Sequence, residues 1–352
     1  MIVIDGAYGE GGGQILRTCL SLSVVFEKPF KIFNMRKNRS KPGLQPQHLA
    51  CVKACAEISG AEVSGAELNS TEIIFIPKKK PTKRTYTFDI KTAGSTSLLF
   101  QTLLYPFSLS EGGELILKGG THVPFSPSFH YLKYVFIPVV KFLGLKAEIY
   151  LEKAGFYPKG GGEIRAKIFP WKEFTLPDMD KKFYPEEIFI ISLVSEDLPS
   201  HIPERQANSA KKKLLIAQLE PKEEILEKVK SRSSGTMLFI YSIDRDRIKR
   251  VGFSELGKRG YPAEKVGENA VIKFLKFLKT EAQFEEHLAD QILIPLSLVM
   301  IKNNKKSFKY TTSKITSHFL TQAWLIPQFI KEVDIKISGK EGSPGEVRIE
   351  RR

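Results

Sequence analysis

Three stretches of this chain carry the same order of secondary-structure signals, and that recurrence constrains the fold more than any single motif does. The first runs through a strand at 1–5 (MIVID), a helix at 12–27, a strand at 30–34, a helix at 46–59 and strands at 61–68 and 72–77. The second repeats the order with a strand at 85–90, a helix at 95–109, a strand at 114–119, a helix at 127–143 and strands at 146–155 and 162–169. A third, without the leading strand, gives a helix at 287–300, a strand at 308–312, a helix at 317–332 and strands at 334–339 and 346–351. Each unit reads as a small sheet with two helices on one face. The expected fold class is α/β (α+β): three βαβαββ repeats that pack their helices inward around a pseudo-threefold axis.

Residues 181–281 break the pattern and read as a smaller inserted α/β domain. They carry the strand TMLFIYSI and the helix EKVGENAVIKFLKFLKT, between the hinge-like flanks LPDMDKKFYPEE and TEAQFEE. The repeat-built domain is then 1–180 together with 282–352. At 352 residues and 42% hydrophobic content the chain is long enough for both parts to have cores.

A repeated scaffold brings equivalent positions to one axis, so its helix starts are where a site is expected. The first helices of the units begin GEGGGQILR, AGSTSLLFQ and HLADQILIP. They contribute Glu10, Gln14 and Arg17, then Gln101, then His287, Asp290 and Gln291. The second helices are preceded by RKNRSKPGLQPQH, GGTHVPFSPSF and TTSKITSHF, with the Pro, Ser and Thr of helix N-termini, and place His48 and His318 just inside. Arg36, Arg39 and Lys41 cluster ahead of His48, suited to gripping phosphates.

The stretch DGAYGEGGGQILRT at 5–18 poses the question of a phosphate cradle. It lacks the spacing of the dinucleotide fingerprint, and no Lys-Ser or Lys-Thr follows the glycines as a P-loop requires. What remains is a glycine turn with Glu10 in the bend and Gln14 and Arg17 on one helical face; a tight turn with a solvated Arg is the plainer reading. YPKGGGE at 157–163 reads as a hairpin turn, because strands flank it and no helix follows.

A formal net charge of +15 favours polyanionic partners, nucleic acid or nucleotides, over cationic or apolar ones. Cys19, Cys51 and Cys55 make neither a disulfide framework nor a zinc site; Cys51 and Cys55, four residues apart, read as buried small residues of a helix. Without an 18-residue apolar stretch or a signal sequence, a soluble cytoplasmic protein is expected. Monomer and homo-oligomer are both compatible with the sequence.

Taken together, DGAYGEGGGQILR, RKNRSKPGLQPQHL, GSTSLLFQ, GFYPKGGGEI, EEHLADQ and SHFLTQ resemble the RNA 3′-terminal phosphate cyclases of archaea and bacteria over essentially the whole chain. The resemblance implies the repeat fold with a small insert, related to the enolpyruvyl transferase repeat. It implies a reaction in which ATP gives AMP to a histidine, the adenylate moves to an RNA 3′-phosphate, and the neighbouring 2′-hydroxyl displaces AMP to close a 2′,3′-cyclic phosphodiester. His318 matches the nucleophile; its place at a helix N-terminus is expected to lower its pKa and favour the neutral imidazole. ATP brings a divalent ion, Mg2+ or Mn2+, for which Glu10 is the candidate ligand with Gln101 as a second oxygen. Gln14, His287, Leu288, Ala289, Asp290 and Gln291 are expected at the nucleotide with Gln101 and Pro127, the latter against the adenine. His287 stands where many relatives carry an aromatic. Arg17, Arg36 and Arg39 would hold triphosphate or the RNA end, with Lys41, Gln47 and His48 on the same wall. All these residues lie outside 181–281, so the insert is expected to be dispensable for adenylylation. Two rival readings meet specific obstacles: an enolpyruvyl transferase needs a second repeat-built half, and a non-catalytic ribosome-assembly relative would lack His318.

Overall fold

A computed structural model describes residues 1–303 and 305–352. Strand β1 (Ile2–Asp5), helix α1 (Gly13–Phe26), β2 (Phe30–Phe33), α2 (Pro46–Ser59), β3 (Glu62–Ser64) and β4 (Ile73–Ile76) form a sheet of order β1-β2-β4-β3 with its two helices. β1 and β2 are parallel, which requires a crossover, and α1 supplies it; the other pairs are antiparallel. Next come β5 (Thr85–Asp89), α3 (Thr96–Ser108), β6 (Gly113–Gly119), α4 (Phe129–Tyr131), α5 (Ile137–Phe142), β7 (Ala147–Lys153) and β8 (Gly162–Ile168), in the order β5-β6-β8-β7. β7 and β8 are antiparallel, so the glycine-rich segment between them is a hairpin connection.

β9 (Pro185–Ser195), α6 (His201–Ile216), β10 (Glu223–Val229), β11 (Thr236–Asp244), β12 (Arg250–Leu256) and α7 (Ala263–Leu278) build a separate sheet, β10-β9-β11-β12. Its apolar side chains alternate between two cores. Phe189, Ile191 and Leu193 of β9 and Phe239 and Tyr241 of β11 join the main core, while Ile188, Ile190, Leu238 and Ile240 pack with Leu214 and Phe274 of α6 and α7. The chain then continues through α8 (Glu286–Gln291), α9 (Leu293–Lys302), β13 (Ser307–Thr312), α10 (Ser317–Phe329), β14 (Val333–Ser338) and β15 (Gly345–Arg351), with sheet order β13-β15-β14. Where the other two sheets have a leading parallel strand, this one has a single parallel bridge, Phe284 to Thr312.

Helix α1 contacts α2, α3 and α10, and it is buried almost all round, as a central helix must be. Cys19, Cys51 and Cys55 are buried free thiols. No described helix is long and apolar enough to cross a membrane.

Three elements differ from the sequence expectation, each for a local reason. The helix expected at 127–143 is interrupted by a π-helical turn, Leu132–Phe136. Pro138 cannot donate to the carbonyl of Tyr134, and that carbonyl instead accepts Arg250 Nη1 at 3.2 Å. The helix expected at 287–300 breaks at Ile292 into α8 and α9, where Pro295 leaves the Gln291 carbonyl without its helical donor. The strand expected at 61–68 stops at Ser64, because Gly65 turns the chain with φ +78°.

Candidate functional site

The glycine turn ahead of α1 mounts a carboxylate. Gly12 caps the helix in an extended conformation, and a Cβ placed there would lie 2.1 Å from Glu10 Oε2, so glycine lets the Glu10 side chain fold back over the bend. The Glu10 N–H donates to Thr321 Oγ1 at 3.0 Å, which ties the turn to α10. Arg39 pairs with Glu10 Oε1 and donates from Nη2 to the Glu10 carbonyl at 3.1 Å. Oε2 is buried, has no hydrogen-bond partner among the described residues, and lies 3.4 Å from His318 Nε2.

His318 stands in the first turn of α10, whose cap Thr316 accepts from the Phe319 N–H at 3.1 Å. Its Nδ1 faces Asp290 Oδ2 at 3.9 Å. Both carboxylate oxygens of Asp290 accept from Gln14 Nε2, at 2.8 and 2.9 Å, which fixes the plane of the acid against the imidazole. Burial is the first cause that lowers the His318 pKa below its ordinary value; Asp290 opposes it, and the cations Arg17 and Arg39 add to it. The expected lowering is there, with desolvation rather than the helix terminus as its leading cause. Burial pushes Asp290 up, against His318, Gln14, His287 and Arg17.

His318 opens onto a cavity of about 990 Å³. Gln14, Arg17, Gln101, Pro127, His287, Asp290 and Gln291 line it too. Gln101 Nε2 donates to Gln291 Oε1 at 2.8 Å, linking α3 to α8. Burial also lowers the pKa of Arg17, whose charge Asp290 supports.

Other expected residues are elsewhere. Leu288 and Ala289 are fully buried and do not line the cavity, because the 3.6-residue period of α8 puts 287, 290 and 291 on the opposite face. Of the expected basic wall only Arg17 reaches the cavity. Arg39 is held on Glu10, and Arg36 Nη2 donates to the Lys41 carbonyl at 3.0 Å while the Lys41 side chain is exposed. Gln47 Oε1 accepts the Ser95 N–H at 2.9 Å, and His48 Nδ1 accepts the Gln45 N–H at 3.2 Å at the start of α2. Backbone groups therefore claim Arg36, Gln47 and His48. Burial, with Arg17 and Arg36, lowers the pKa of His48 to about 3.

The cavity wall also includes residues of 181–281, none of which the sequence motifs mark. Phe253 and Ser254 of β12 and Lys273, Lys276 and Phe277 of α7, followed by Thr280, line the cavity. In the sequence, 273, 276, 277 and 280 fall at helical spacing on one face, a signal that no nearby motif marks as functional. Phe125, Tyr131 and Lys314 also line the cavity. Tyr131 Oη donates to Glu285 Oε1 at 2.5 Å, and Glu285 caps α8 by accepting the N–H groups of His287 and Leu288.

Among the described residues no group of three or more His, Cys, Asp or Glu could hold a metal ion. Oε2 of Glu10 has a free lone pair for a cation although the carboxylate is already paired with Arg39; Gln101 lines the cavity and Glu10 is not among its lining residues.

The family model described as RNA 3′-terminal phosphate cyclase matches residues 8–337. A protein of that name from Sulfolobus acidocaldarius is 42% identical, with 99% of this chain and 100% of the relative covered. The Thermococcus kodakarensis protein of the same name is 38% identical over 99% of this chain and 98% of its own. The one from Gloeothece citriformis is 38% identical over 97% of both chains.

Proposed function

The chain belongs to the RNA 3′-terminal phosphate cyclase family, and from that membership we propose that it is an ATP-dependent, ligase-type enzyme that converts an RNA 3′-phosphate into a 2′,3′-cyclic phosphodiester through a histidine–AMP adduct at His318. The observation that carries this reading is the position of the His318 imidazole between Glu10 and Asp290 at the wall of a nucleotide-sized cavity. In this reading Nε2, on the Glu10 side of the ring at 3.4 Å, is the attacking atom, and Asp290 faces Nδ1 at 3.9 Å. A bond forms from Nε2 to the α-phosphorus of ATP as the bond from that phosphorus to the bridging oxygen breaks, and pyrophosphate leaves. An oxygen of the RNA 3′-phosphate then attacks the same phosphorus, and the N–P bond breaks to regenerate histidine. The 2′-hydroxyl attacks the RNA phosphorus, loses its proton, and expels AMP.

Gln14, Gln101, Pro127, His287, Asp290 and Gln291 form the nucleotide wall in this reading, and Arg17 meets phosphate. A divalent ion, Mg2+ or Mn2+, when bound would neutralise charge on the departing pyrophosphate, with Glu10 and Gln101 as the residues to hold it. The three sheets are read as copies of one βαβαββ unit about a pseudo-threefold axis, built from 1–180 and 282–352, with 181–281 inserted. The cytoplasm is the compartment assigned, where ATP and RNA ends meet.

The test is covalent labelling with α-labelled ATP and a divalent ion. Wild type should acquire one acid-labile, alkali-stable AMP, as expected of a phosphoramidate, and His318→Ala should acquire none. A label that survives His318→Ala and vanishes in His48→Ala or His287→Ala would move the nucleophile; no label under any divalent ion would make the chain a non-catalytic member of its family.

A further inference from the structure

The cavity has a feature that the chemistry above leaves unused. Phe125 is the most exposed large apolar side chain among the described residues, with a relative exposure of 104%, yet it lines the cavity. Its backbone sits at φ +61°, a conformation costly for a bulky side chain and kept where the surroundings fix it. The flanking Pro124 and Pro127 stiffen that loop, so the ring is held out rather than left to fold inward. Around the same cavity stand Lys276 of α7 and Lys314, whose ammonium groups have no acidic or hydrogen-bonding partner among the described residues. Lys273, by contrast, is committed to Glu255 Oε2 at 2.6 Å and to the Ser254 carbonyl.

An exposed aromatic ring in a cavity whose wall also carries unpaired cations is how proteins take single-stranded nucleic acid, the ring stacking a base and the cations following the backbone. The second chemical step also requires the RNA end to be present while AMP occupies His318. We propose that Phe125 stacks a base near the RNA 3′ end and that Lys276 and Lys314 hold phosphates of the same strand, so that the α/β segment carrying α7 is part of the RNA-binding wall. This rests on the cyclase reading for the identity of the strand.

Binding of a short 3′-phosphorylated oligoribonucleotide is measured by anisotropy without ATP, and ATP KM is measured separately in the charging reaction without RNA. Phe125→Ala should weaken RNA binding about tenfold, and Phe125→Trp should restore it. An abasic residue moved through the last few nucleotides should, at one position, cost wild type the same factor and cost Phe125→Ala nothing more. Lys276→Ala should reduce the slope of log affinity against log salt by about 0.7, one phosphate on a single strand. The proposal is overturned if Phe125→Ala and every abasic position lose affinity independently, or if Phe125→Ala raises ATP KM as much as it weakens RNA, which would place the ring on adenine. Failure of wild type to charge with AMP would sink the cyclase reading alone, because the RNA-binding arm needs no ATP.

Discussion

At the scale of single residues, the site turns on how Glu10 and Asp290 bracket one imidazole. Gly12 has an ordinary extended backbone that alanine can adopt, but a Cβ there would displace the Glu10 carboxylate. Gly12→Ala should therefore leave the unfolding midpoint nearly unchanged while AMP charging falls about 10²-fold, the effect of an ångström-scale misplacement. Equal losses of stability and charging would show that the glycine serves the fold instead. Asp290 is the group that raises the His318 pKa against burial, Arg17 and Arg39. If His318 attacks as proposed it must be neutral, so the charging rate should fall only below the ordinary histidine range, and Asp290→Asn should move that acid limb to still lower pH. Single-turnover charging measured over about pH 4.5 to 8.5 checks the direction, and a limb that moves upward contradicts the assignment. His318 and Asp290 are singled out by the family resemblance of SHFLTQ and EEHLADQ, since by residue type alone a histidine beside an apolar run reads as a core or capping residue. The Arg39–Glu10 pair is not, since the two side chains lie 29 positions apart and nothing in either stretch specifies that they meet.

Elements show what competes for the basic and polar residues. His48 serves α2 by accepting the Gln45 N–H with Nδ1, which only a neutral ring can do. Its folded pKa of about 3 lies below the unfolded value, so below about pH 6.5 the unfolded chain takes up a proton that the fold refuses. The stability this group contributes is present above about pH 6.5 and is lost as pH falls from there toward 3. His48→Gln, which keeps an acceptor at that position, should flatten the acid dependence of urea unfolding between about pH 7 and 5. His48→Ala should lose about 0.5–2 kcal/mol at neutral pH. A steeper acid dependence in His48→Gln would contradict this. The strand and helix order is readable from periodicity, but a phosphate role for Gln47 and His48 is not separable from capping, because the same donors and acceptors serve both. The π turn is equally hidden, for its cause is Pro138 together with a carbonyl that only the distant Arg250 satisfies.

For the whole molecule, the decisive fact is that the sheet of β9–β12 belongs to two cores. Phe189, Leu193, Phe239 and Tyr241 pack into the core shared with the repeats, so deleting 181–281 would bare their partners, Tyr134 among them. A chain closed by a short linker across that gap should lose cooperative unfolding and aggregate, contrary to the dispensability that the motif positions alone suggest; a soluble deletion with a sharp transition would show the two parts to be independent. This coupling is illegible from sequence because a strand buried on both faces reads as one apolar run without saying what lies on either side. Gln14 and Asp290, whose side chains hold each other, are 276 positions apart. At about 5–20 residues per second, a ribosome spends roughly 14–55 s between emitting the first and the second. The nascent chain thus carries the Glu10 turn and Gln14 long before Asp290 and His318 exist, and no unfinished copy can assemble the bracketed imidazole.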